Sequence, residues 1–348
     1  MEFQKITVCL DMCGCPNRCR HCWLGVTPNG NLREADLNDV ARAFRPYTGN
    51  LEVFDWYREP DYAPDYRERW ELRCRLSDTV TPHYENISIW RAVRDAEYIP
   101  WVASLGVKAA QLTLFGNEET TDWFFGRKGV YREILETIEL LLQNGIMPRI
   151  QTFLYKTNVD QLPHIQRLIE ELELEERCRA AGGRFDFFLH QGSCDGENEK
   201  LYDVWITPDD LPHIPRRLLE YTLLYWNASR LEEVVGFPEK ELYERLLEDD
   251  STEELAQAEP VFFVDKDFDV YPNYETPSAA YCLGNLRLDG AERILERYRL
   301  NLSPAQHIRA TVPMKDMVKA CGNPESMRLF TEWDYKNLIH SRFCREKT

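Results

Sequence analysis

The chain has 348 residues, 29% charged and 43% hydrophobic, enough for one large α/β domain with an appendage. Lysine and arginine number 42 against 59 aspartate and glutamate. The net −17 argues against a nucleic-acid partner, whose surface calls for basic residues in excess. Eleven cysteines, an odd number of which Cys9, Cys13, Cys15, Cys19 and Cys22 cluster at the start while the rest scatter, do not read as a disulfide framework.

The opening residues lack a basic segment followed by an apolar one, so no signal peptide is read. The most apolar stretch, Pro100 to Gly116, is broken by Lys108 and Gln111 and is too short to span a bilayer. The expectation is a cytoplasmic, reducing setting with no membrane partner, where free thiols point to metal or catalysis.

In chain order, Ile6 to Leu10 reads as a first strand running into the cysteines, and Leu37, Val40, Ala41 and Phe44 fall at helical spacing. Leu51 to Trp56 alternates in the strand period and stops before Glu59-Pro60. A short third strand is expected at Asn86 to Trp90, a fourth at Ala109 to Phe115, a fifth at Ile150 to Leu154 and a sixth at Phe185 to Leu189. Between them lie amphipathic helices, one carrying Ile134, Leu135, Ile138, Leu141 and Leu142 on a single face and another Leu162, Ile165, Leu168, Ile169 and Leu172. Thr207-Pro208 opens a last helix with a capping threonine and a proline at its first position.

Six βα units in a row imply a parallel sheet, too few strands for a closed eight-stranded barrel and suited to an open (β/α)6 partial barrel over residues 1–226. In such sheets ligands bind at the carboxyl ends of the strands. Beyond Asn227 the rhythm stops. Residues 237–259 hold nine acidic and two basic side chains, which reads as a solvated helix face or linker. Pro260 to Tyr271 reads as a hairpin turning at Asp265-Lys266-Asp267, followed by a helix around Ala291 to Tyr298. Residues 227–348 are therefore expected to form a smaller α+β extension.

Cys15, Cys19 and Cys22 form a C-x3-C-x2-C triplet just after the first strand. Three thiolates on one short loop can each hold one iron of a [4Fe–4S] cube, leaving the fourth iron open to a small molecule. The triplet resembles the motif of the radical S-adenosylmethionine (radical SAM) superfamily, with His21 where that family usually has an aromatic residue. The resemblance implies that the open iron chelates SAM and that one electron cleaves it to methionine and a 5′-deoxyadenosyl radical, which abstracts a hydrogen atom from substrate.

The same resemblance assigns further residues. Glu59, at the end of the second strand, matches the glutamate that receives the SAM amino group, although the glycines usual before it are missing. Thr113 matches a hydroxyl beside the SAM ribose, and Arg127 a guanidinium paired with the SAM carboxylate. Glu118, Lys156, Asn158, His190 and Gln191 lie at strand exits where substrate residues are expected; the plainer reading of Asn158 is a helix cap. Cys9 and Cys13 read as packing residues.

The segment from Phe268 to Leu286 resembles the SPASM/twitch extension of these enzymes. That extension usually carries auxiliary clusters, but Asn273 stands where a cysteine is expected, Cys282 stands alone, and Cys321 and Cys344 are isolated. The expectation is a degenerate extension without an auxiliary cluster, with Cys282 a candidate hydrogen-atom donor. The whole points to a radical SAM enzyme of oxidoreductase, epimerase or mutase type. It would act on a small molecule or a peptide and take electrons from a flavodoxin- or ferredoxin-type donor that meets Arg18 and Arg20. The alternative from another class is a non-catalytic zinc- or iron–sulfur-binding protein with a structural cysteine loop.

Overall fold

A computed structural model describes residues 3–10, 14–22, 32–54, 59–79, 83–272 and 277–347, with residue 197 by its backbone alone. Cys13, Trp56 and Asn273 lie outside the described residues.

Ten strands are present among them. They are β1 (Ile6–Leu10), β2 (Leu51–Phe54), β3 (Ala109–Thr113), β4 (Met147–Phe153), β5 (Asp186–His190), β6 (Phe237–Pro238), β7 (Val261–Val264), β8 (Asp269–Pro272), β9 (Gly284–Asn285) and β10 (Leu329–Phe330). β1 and β2 pair in parallel with Ile6 opposite Leu51 and Cys9 opposite Phe54. β3, β4 and β5 form a second parallel run, with Thr113 opposite Gln151 and Phe153 opposite His190.

The expected third strand, Asn86 to Trp90, shrinks to a single parallel bridge between Asn86 and Gln111. The reason is Ser88, whose Oγ accepts the N–H of Arg91 and starts a short helix, Ile89–Ala92, where the strand would have continued. The partial barrel therefore has five strands and one bridge where six strands were expected.

Burial along β4 alternates in the strand period. Ile150 and Thr152 are sealed on the outer face, whereas Arg149, Gln151 and Phe153 are half-buried on the inner one. The outer face joins one apolar core with helices Val130–Gln143, through Ile134, Ile138 and Leu141, and Leu162–Glu171, through Ile165 and Leu168. Each such side chain contributes roughly 1.5–3 kcal/mol on leaving water. The inner face is left to polar and aromatic groups.

The C-terminal residues continue the same sheet. β7 and β8 form the expected hairpin, held at its turn by Asp265, whose Oδ1 accepts the N–H groups of Asp267 and Asp269. β7 lies parallel to β1, giving the order β2-β1-β7-β8-β9. Ile6, Val8, Leu51 and Val53 share a core with Phe262, Val270, Ile294, Leu295 and Tyr298, the last three from helix Leu286–Arg299. The acidic stretch behaves as expected except at Glu239. That residue opens helix Glu239–Leu246 fully buried and accepts a short hydrogen bond from the hydroxyl of Tyr202.

Candidate active site

The cysteine loop is laid against the end of helix Glu118–Phe125. The N–H groups of Arg18 and Arg20 donate to the carbonyls of Phe125 (3.0 Å) and Phe124 (2.8 Å). Gly126 caps that helix in the left-handed region, φ 64°. A Cβ at 126 would stand 2.5 Å from the carbonyl oxygen of Arg18, so the close approach of loop to helix requires glycine there.

Inside the loop, the Asn17 N–H points at Cys15 Sγ (3.4 Å), and the Cys22 N–H donates to the Cys19 carbonyl (3.3 Å). The Asn17 side chain faces two ways. Its Nδ2 donates to Glu59 Oε2 at 3.5 Å, and its Oδ1 accepts from Arg127 Nε at 2.7 Å. Cys15 Sγ lies 3.9 Å from the same Glu59 oxygen. Glu59 Oε1 is occupied differently, accepting from the hydroxyl of Ser88 at 2.8 Å. The cysteine loop and Glu59, far apart in the chain, are thus brought together.

Burial pushes the Glu59 carboxyl up to about 7, partly offset by Ser88 and by the charge of Arg127. The Cys19 thiol is driven well above its ordinary value by burial, then by the negative charges of Cys15, Cys22 and Glu59, with Arg127 opposing. Three thiols and a carboxylate so close repel a bare thiolate, and a cationic iron cluster reverses that balance. Among the described residues no three His, Cys, Asp or Glu side chains converge on one ion. A cube takes one thiolate per iron, so its ligands need not converge on a point. The donor set fits a cluster held through three irons.

The His21 ring lies against Phe115 (4.7 Å between centroids) and Phe153 (4.8 Å), so it packs as an aromatic residue would. Its Nδ1 is buried without a hydrogen-bond partner, and burial lowers its pKa to about 3, keeping it neutral. Asn198 holds the backbone here, donating to the His21 carbonyl at 3.1 Å.

Thr113 and His190 are joined by a residue not singled out from sequence. Gln151 Nε2 donates to Thr113 Oγ1 at 2.7 Å, and His190 Nε2 donates to Gln151 Oε1 at 3.3 Å. The row crosses the inner faces of β3, β4 and β5 near their carboxyl ends. Its only sequence signal was the alternation of β4.

The remaining candidates are placed as follows. The Arg127 guanidinium, expected on the SAM carboxylate, is closed on Glu133 through two parallel bonds of 2.9 and 2.6 Å. Glu118 is a half-buried first-turn residue paired with Arg132. Lys156 is exposed, while buried Asn158 binds the N–H of Tyr155 and the carbonyls of Phe115 and Phe153, tying two strand exits together. Gln191 donates to the Leu329 carbonyl and secures β5 to β10. Cys9 is buried against Phe263. Cys282 is half-buried with its Sγ 3.9 Å from the Gly284 carbonyl, and burial raises its thiol. No helix among the described residues is long and apolar enough to cross a membrane.

The family model of the radical SAM superfamily matches residues 10–172. Among solved structures the chain is similar to native anSMEcpe with bound AdoMet and Kp18Cys peptide, at 14% identity over 98% of each chain with TM-score 0.55. It is also similar to a histidine-tagged anSMEcpe with bound AdoMet, at 15% identity over 98% of this chain and 94% of that one, TM-score 0.55. SuiB of Streptococcus suis bound to precursor peptide SuiA matches at 13% identity over 78% of this chain and 59% of that one, TM-score 0.46. No curated protein matches the chain.

Proposed function

Because the chain belongs to the radical SAM superfamily, with a [4Fe–4S] cluster and SAM as its cofactors, we propose that it modifies a peptide by radical chemistry. Bound together, cluster and SAM supply a carbon-centred radical able to take a hydrogen atom from a C–H bond. The peptide assignment leans on the likeness in fold to anSMEcpe, which carries bound AdoMet and a peptide.

In this reading Cys15, Cys19 and Cys22 hold the cluster, and Glu59 receives the SAM ammonium at Oε2, the oxygen turned toward the cysteine loop. Thr113 and Gln151 line the barrel beside it, and neutral His190 offers substrate a hydrogen-bonding edge without a charge. The segment 227–348 forms a cluster-free extension that closes the open barrel edge at β1 and presents Cys282 to the product. An acidic one-electron donor meets the outer face of the cysteine loop. A cleft of about 870 Å³ lies there, lined by basic Arg20, Lys128 and Arg132 together with acidic Glu118, Glu119 and Asp122, and the Arg20 guanidinium stands 4.2 Å above the Trp123 ring.

The observation that carries the reading is the convergence of the three-cysteine loop and Glu59 through Asn17. Anaerobic reconstitution tests it: about four irons per chain and 5′-deoxyadenosine from SAM plus reductant are expected. Tightly held zinc with no SAM cleavage would overturn it, and about eight irons would overturn the cluster-free extension.

A further inference from the structure

Behind Glu59 lies a buried polar network that the chemistry so far leaves unused. Asp61 stands two residues on, with φ 53°, a left-handed conformation that a non-glycine residue adopts only at a cost. Its side chain and that of His83 are almost fully sealed, at 3% and 0% exposure, and His83 Nε2 meets Asp61 Oδ2 at 2.9 Å. The other ring nitrogen, Nδ1, faces the carbonyl of Tyr84 at 2.8 Å. The hydroxyl of fully buried Tyr98 donates to the same Asp61 oxygen at 2.6 Å and accepts the N–H of Ser88 at 3.0 Å. Ser88 in turn donates to Glu59 Oε1.

A continuous chain therefore runs from His83 through Asp61, Tyr98 and Ser88 to the carboxyl. The backbone between is clamped as well: Arg91 donates to the carbonyls of Asp61 (2.6 Å), Tyr62 (2.9 Å) and Ala63 (2.8 Å). Trp70 and Trp101 box the His83 ring, with centroids 4.9 and 5.5 Å away. Fully satisfied buried networks of this kind fix a single geometry.

We propose that Asp61, His83 and Tyr98 are positioning residues for SAM: they lock Ser88 onto Glu59 Oε1 and so present Oε2 to the ammonium group. The proposal rests on Glu59 as the ammonium acceptor. The backbone that follows Glu59-Pro60 is held by the side-chain hydrogen bonds of Arg91.

The test measures SAM affinity by calorimetry on anaerobically reconstituted protein. Iron per chain and the SAM-induced change in the reduced cluster's EPR spectrum are read alongside. Y98F removes both hydrogen bonds of one link. D61G relieves the left-handed backbone while deleting the carboxylate, so a purely conformational role for residue 61 predicts no loss. Each variant is expected to weaken SAM about tenfold with iron unchanged. D61N, which keeps an acceptor, recovers most of the affinity, and Y98F combined with E59Q binds no more weakly than E59Q alone.

If E59Q loses affinity while Y98F and D61G bind SAM as the unmodified chain does, the positioning role is overturned and Glu59 keeps its own. If E59Q itself binds normally, the Glu59 assignment falls and the proposal with it. Should Y98F fail to fold, D61G and H83A carry the same comparison.

Discussion

Arg127 reaches back 110 positions to Asn17, donating from Nε to Oδ1 at 2.7 Å. With its two terminal nitrogens held bidentate by Glu133, and Arg94 bonding the same carboxylate at 2.6 Å, the guanidinium clamps the cysteine loop. A residue assigned by resemblance to a ligand contact thus has a prior duty to the loop. R127K keeps the charge but loses the fork. It should destabilise the fold by about 2 kcal/mol, as loss of charge-assisted hydrogen bonds does. It should also release iron faster under a chelator, both measurable by thermal unfolding and chelation kinetics. Iron release at the wild-type rate would show that the clamp does not hold the loop.

Gly126 tests the same surface from the other side. An alanine there adds about 1–2 kcal/mol of left-handed strain and drives a Cβ into the Arg18 carbonyl. Because that carbonyl cannot move without shifting Cys15 and Cys19, G126A should lower iron per chain as well as Tm. Alanine at Gly129, also left-handed (φ 85°) but with nothing near its Cβ, should lower Tm alone.

Much of this was legible in the sequence because it is local. The buried runs of β1 to β5 and the helical stripes between them announce themselves by period. The cysteine spacing is carried by one short segment, Cys15 to Cys22. What was not legible depends on register and on distant pairing. The Thr113–Gln151–His190 row exists only once three parallel strands are aligned, and the parallel pairing of β1 with β7 joins opposite ends of the chain. The third strand failed because Ser88 is both a helix cap and a partner of Glu59, and a capping serine inside an apolar pentapeptide gives little warning of either duty. Arg127 and Asn158 were seen, but the partners that give them their duties, Asn17 and the carbonyl of Phe115, lie far away in sequence.

His190 gives a prediction in pH. Burial lowers its pKa from 6.5 to about 4, so the folded protein resists protonation there while the unfolded chain does not. The stability this neutral imidazole contributes is complete above pH 6.5 and is lost as pH falls from there through 4. The amount is on the order of 3 kcal/mol for this one group. H190Q keeps a donor near Gln151 and removes the titration. Urea unfolding of the cluster-free protein should show a shallower stability loss between pH 6.5 and 4 than the unmodified chain. Parallel curves would mean that His190 titrates in the folded state as it does in the unfolded chain, and that its pKa is not lowered.

Cys282 sits on the extension near Tyr271, which faces Phe263 across β7 and β8. Burial keeps its thiol protonated, the state in which it can give up a hydrogen atom. In that step the S–H bond breaks and a product C–H bond forms; the sulfur radical left behind returns to thiol with one electron from the reductant and one proton. Because a thiol exchanges with solvent, turnover in heavy water should place deuterium at the reacted carbon. C282A should keep the iron content and cleave SAM, since no cluster ligand is lost, yet yield no deuterated product. Cleavage without product would mark Cys282 as the donor, whereas undiminished deuterium incorporation by C282A would remove it from the chemistry.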